Sequence, residues 1–74
     1  MPNNKHFIKH VIKEQYGLEE VDMTANFYYD YDSDDLDILE ILMEIEETLS
    51  IEIPDGDYVT GQEILDAVDT AQES

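Results

Sequence analysis

The sequence predicts an all-α protein, a small helical bundle forming one domain over residues 1–74. Three observations carry this prediction. Apolar residues recur at helical spacing in three separate segments. Each segment has a start or stop signal: Gly17 after the first, Asp34 and Asp35 before the second, Thr60 before the third. No run alternates apolar and polar residues as a half-buried strand would.

In the first segment Phe7, Ile8, Val11, Ile12 and Tyr16 share one face, and Gly17 is a good C-cap, so a helix is expected over 3–16. Residues 18–33 show no sustained period. They read as a long connecting loop anchored by Leu18, Val21, Met23 and Phe27. Loops of this length inside small domains tend to be functional or peculiar to a family. The clearest helix follows. Asp34 or Asp35 can cap it, and acids in its first turn suit the helix dipole. Leu36, Leu39, Leu42, Met43 and Leu49, with Ile45 beside them, are expected to supply its buried stripe, leaving Ile38 and Ile41 partly exposed. Asp37, Glu40, Glu44 and Glu47 form an acidic ridge on the opposite, solvent side. Pro54 holds Ile53 extended, and Asp55-Gly56-Asp57 is turn chemistry, with a short helical turn weakly signalled at 56–60. Thr60 and Glu63 have the capping-box spacing, so a last helix is expected over 61–71, with Ile64, Leu65, Val68 and Ala71 inward.

The charge excludes several functions. Twenty acids face three bases, for a formal charge of −17. Binding to nucleic acid through phosphates, or to an anionic membrane surface, needs a basic footprint that this chain lacks. With no cysteine there is no disulfide, no zinc–thiolate site and no thiol nucleophile. High net charge is also a signature of disorder, but 42% hydrophobic residues at helical spacing argue for a fold strained by self-repulsion. Divalent cations are expected to relieve that strain. Lys5, Lys9 and Lys13 are the only bases and lie in one stripe, while every acid falls at Glu14 or later. The stripe is expected to soften repulsion within the molecule. His6 and His10 stand four apart, a spacing that can hold a metal on a helix, yet no third ligand is indicated and no metal site is expected. Residues 1–6 lack the apolar core of a leader, and no apolar run reaches the length of a membrane span, so a cytoplasmic location is expected.

Three motifs occur together: the Asp-rich turn before the middle helix, Leu36-Asp37-x-x-Glu40 leading to Ile45-Glu46-Glu47, and Ile51-Glu52-Ile53-Pro54-Asp55. In these the sequence resembles the acyl carrier protein family, whose members are small acidic bundles of four helices, one of them short. The family motif reads roughly Asp-Ser-Leu-Asp-x-x-Glu-(Leu/Ile), then a Glu pair and Ile-Pro-Asp. Glu14-Gln15-Tyr16-Gly17 looks like the family's end of helix one, and Phe27, Asp30 and Tyr31 match the lead into the motif. The resemblance implies a four-helix bundle of acyl carrier protein type. It also implies a partner-docking role for the positions of Asp37, Glu40 and Glu47, with Met43 packing between them. Glu44 belongs to the same ridge.

The departure lies where the family carries its phosphopantetheine arm. Asp35 stands at the position of the attachment serine, and Asp32 where a glycine is expected. A carboxylate cannot replace a hydroxyl as acceptor of a stable phosphodiester. Ser33 would need the motif to slip by two residues, which turns a helix by about 200°. Ser50 and Ser74 are farther from the motif. Asp35 is either a natural divergence or an introduced change in a working carrier. The leading expectation is a non-enzymatic, monomeric adaptor or regulatory subunit that binds a basic patch on a partner protein and carries no cofactor. The alternative is a functional acyl or peptidyl carrier for fatty-acid, polyketide or nonribosomal peptide synthesis, armed at Ser33 or in a serine parent. A nucleic-acid mimic is a third reading, which the carrier-type motif disfavours. The Tyr28, Tyr29 and Tyr31 cluster is expected to supply one core anchor, Tyr31, and two half-exposed rings. The run Asp30, Asp32, Asp34 and Asp35 lacks the spaced ligands of an EF-hand and allows only loose divalent binding.

Overall fold

In the computed structural model, which describes residues 4–73, four helices follow one another: α1 (Asn4–Tyr16), α2 (Phe27–Asp30), α3 (Asp35–Leu49) and α4 (Gly61–Glu73). The bundle is of acyl carrier protein type, with three main helices and one short. α1 ends at Gly17, whose φ of 65° lets the Leu18 N–H reach back to the Lys13 carbonyl at 3.1 Å. α3 ends in the same way without glycine. Ser50 takes a φ of 55°, and the Ile51 N–H bonds the Glu46 carbonyl at 3.2 Å.

The core is built by Ile8, Val11 and Ile12 of α1, Ile38, Ile41 and Ile45 of α3, and Ile64 and Val68 of α4. Phe27 of α2 closes it, together with Met23 and Ile53 from the connecting segments. Tyr16, Phe27 and Tyr31 add a cluster of tilted rings with centroids 5.4 to 6.2 Å apart. Leu18 and Val21 pack half-buried against this core, as expected of anchors.

Two expectations are corrected. The inward stripe of α3 is not Leu36, Leu39 and Met43, which are 62%, 50% and 50% exposed. It is Ile38, Ile41 and Ile45, with Leu42 and Leu49 half-buried at its edge. The helix is therefore rotated from the expected setting, and its outer face is apolar as well as acidic. Second, the short helix lies within the expected loop, at Phe27–Asp30, and residues 56–60 form no helical turn. Asn26 caps α2 by accepting from the Tyr28 and Tyr29 amides at 2.9 and 3.2 Å. Asp30 returns a bond to the Asn26 amide at 2.7 Å.

The long connection before α2 is tied down at its far end. The Phe27 N–H donates to the Val59 carbonyl at 2.8 Å, and Gln62 N–H to the Met23 carbonyl at 2.9 Å. Gly61 opens α4 beneath Met23, so close that a Cβ there would lie 2.7 Å from the Met23 sulfur. The Thr60 and Glu63 capping box forms as the spacing predicts. Glu63 N–H donates to Thr60 Oγ1 at 3.2 Å, and Thr60 N–H to Glu63 Oε1 at 3.1 Å.

Candidate functional site

Everything notable at the N-terminus of α3 follows from four acids in six residues, 32–37. Asp34 is the N-cap. Its Oδ1 accepts from the Asp37 amide at 3.0 Å, and Asp37 Oδ2 accepts from the Asp34 amide at 3.4 Å, so an aspartate serves where the capping box commonly has Glu. Asp32 sits in the left-handed region with a φ of 51°, a conformation that costs an L-residue with a Cβ roughly 1 kcal/mol and suits glycine better. Asp35 opens the helix with its side chain exposed, where the positive end of the dipole favours a carboxylate.

Asp35 is not solitary. The Tyr28 hydroxyl of α2 donates to Asp35 Oδ1 at 2.6 Å. With the carboxylate as its acceptor, the Tyr28 phenol is pushed up to about 12. Ser33 faces the other way. Its hydroxyl pairs with the Tyr16 hydroxyl at 2.6 Å and donates toward the Asp34 carbonyl at 3.2 Å. Tyr16 belongs to the aromatic cluster, so Ser33 latches the α2–α3 turn to the end of α1. Burial raises the Tyr16 phenol above its ordinary range, opposed by the Ser33 bond. Burial also raises Tyr58.

These three phenols share a sign. Each is harder to ionise in the folded chain, so the stability they contribute is complete below the ordinary phenol range and lost as the pH climbs through the raised value. Denaturant midpoints are therefore expected to fall steadily between pH 10.0 and about 12, and Tyr28→Phe is expected to remove part of that slope. A midpoint independent of alkaline pH would contradict the Tyr28–Asp35 bond.

Farther along α3, the structure gathers the expected ridge on one side. Asp37, Glu40, Glu44 and Glu47 face outward, with Glu40, Glu44 and Glu47 exposed. Gln15 of α1 steadies its base, donating to Glu40 Oε2 at 2.9 Å and more weakly to Asp37 Oδ1 at 3.5 Å. Met43 is half-exposed beside the ridge, as are Leu36 and Leu39. Sequence reasoning missed Leu36 and Leu39 as surface residues. It also missed Glu46, whose Oε2 accepts the Ile53 amide at 2.9 Å and moors the segment after the helix. Of the tyrosines, Tyr31 packs with Tyr16 and Phe27, Tyr28 is 38% exposed and Tyr29 stands out at 89%. Among the described residues, no three carboxylate or imidazole groups converge on a point that could hold a metal ion.

The sequence matches the family model described as phosphopantetheine attachment site, over residues 6–70. The chain belongs to this family. The match spans most of α1 through most of α4, so it takes in all four helices in part or whole and the acidic turn that opens α3. In this carrier domain no described helix is long and apolar enough to cross a membrane.

Proposed function

We propose that this chain is an armless member of the carrier family, a non-enzymatic adaptor or regulatory subunit that docks a basic partner protein through α3. The observation that carries the reading is Asp35. It is the exposed first residue of α3, immediately after the N-cap Asp34, and in this reading it stands where the family motif has its serine. The left-handed Asp32, two residues before the cap, supports that register, because the motif expects glycine there and the backbone adopts a glycine-like φ. A carboxylate at the first position offers no hydroxyl to receive phosphopantetheine. The nearest hydroxyl, Ser33, is half-buried and engaged by Tyr16. The residues present at this turn do not fit the arm.

What remains is a docking face. Three exposed apolar side chains run beside four acids on one helix, a pattern suited to a surface that is basic and partly apolar. In this reading the protein works in the cytoplasm as a monomer and carries no cofactor.

The test is direct. Incubated with coenzyme A and a broad-specificity phosphopantetheinyl transferase, the chain is expected to keep its mass unchanged, while Asp35→Ser gains the arm. Modification of the unaltered chain at Ser33 would overturn the armless reading in favour of a working carrier. A bare Asp35→Ser variant would overturn the register.

A further inference from the structure

The strip of Leu36, Leu39 and Met43 does not end at the helix edge. At Leu39 it runs into a groove of about 290 Å³ between α3 and the segment 53–58. Ile38, Leu39, Leu42 and Ile53 give this groove an apolar floor. Asp35, Glu46, Asp55 and Asp57 stand around it, with no basic residue among its lining side chains. Two tyrosines hold its walls. Tyr28 donates to Asp35 at one end, and at the other Tyr58 donates to the Pro54 carbonyl, both at 2.6 Å. The Ile53 amide bond to Glu46, at 2.9 Å, anchors the facing segment to α3.

An apolar floor inside an acidic rim selects its occupant by chemistry. The floor rewards burial of an aliphatic or aromatic side chain. The rim disfavours an anion and attracts cations on either side of that chain. The volume is at the small end for ligand cavities, which run from about 300 Å³ upward. The exposed apolar strip also continues outside the groove, so the complementary ligand is longer than the hollow itself. Walls fixed in advance by three hydrogen bonds reduce the ordering cost of filling it.

We propose that this groove receives one large apolar side chain of the partner protein, carried on a short segment with Lys or Arg on both sides of it. The inference rests on the docking reading of α3 and adds the anchor that docking would use. In this arrangement Asp35, together with Tyr28, forms one wall of a protein-binding groove.

The probe is a synthetic amphipathic helix of leucine and lysine, titrated into isotope-labelled protein and followed by amide shifts. A control peptide keeps every lysine and has serine for every leucine. Shifts are expected at residues 35–42 and 53–58, with the control at least about tenfold weaker. Asp55→Lys with Asp57→Lys, both on an exposed loop, is expected to weaken the leucine peptide about tenfold without altering the fold. Glu40→Lys with Glu47→Lys separates the two claims. If that pair weakens binding while residues 53–58 stay unmoved, or if the serine control binds equally well, the groove inference falls and the docking face stands. If neither peptide binds at all, the docking reading falls and takes the groove with it.

Discussion

Ile41→Ala is expected to leave the protein largely unfolded in dilute buffer, while Leu39→Ala, two residues away, leaves stability within about 0.5 kcal/mol of the parent. Ile41 is fully buried in the centre of α3, and Leu39 is 50% exposed. Truncating a buried isoleucine to alanine typically costs about 2–5 kcal/mol, because the cavity closes only in part. A bundle of this size has a net stability of only about 3–5 kcal/mol to lose. Self-repulsion at −17 reduces that further at low salt. Leu39→Ala removes surface that was already half in water and introduces the best helix former. Urea titrations followed by circular dichroism, with and without salt, measure both variants. The opposite ranking would restore the helix setting in which Leu36, Leu39 and Met43 face the core.

That contrast marks the limit of what the sequence makes legible. α1, α4, their caps and the acidic ridge can be read from spacing and capping residues, because each of those helices has one apolar face. α3 has two. Ile38, Ile41 and Ile45 repeat at the same steps as Leu36, Leu39 and Met43, two residues out of phase. Period alone cannot choose between stripes that share a period. The ridge of Asp37, Glu40, Glu44 and Glu47 does not decide either, since on a wheel of about 100° per residue it is nearly equidistant from both. The deciding residues are Asp35 and Glu46. They border the Leu stripe on its other side, so that stripe has acids on both flanks, whereas Leu42 and Leu49 border the Ile stripe. The short helix at Phe27–Asp30 was hidden for a different reason: four residues are too few to show a period. Its cap, Asn26, was the available signal. The Tyr28–Asp35 and Tyr16–Ser33 bonds depend on where α2 packs, and residue spacing carries no trace of them.

Reversing two charges on the ridge is expected to separate binding from folding. Glu40→Lys with Glu47→Lys places two cations where a basic partner should meet two anions. Each close charge pair near a surface is worth about 1–4 kcal/mol, so the double reversal should weaken binding of such a partner roughly 100-fold or more at low salt. The loss should appear mainly as slower association and shrink as salt rises toward and beyond physiological strength, because exposed charges are screened over a Debye length of about 8–10 Å. The same variant is expected to be slightly more stable than the parent. It relieves part of a net charge of −17, and both side chains are exposed on the outer face of α3. Gln15, which now donates to Glu40, carries a carbonyl that can accept from a lysine in its place. Weakened capture of the partner by a variant with an unchanged or raised melting temperature therefore cannot be ascribed to unfolding. Capture at undiminished strength would remove the acidic ridge from the docking face. What remained would be the apolar strip of Leu36, Leu39 and Met43 and the groove it enters, and any salt dependence of binding would then fall to the groove's own acids.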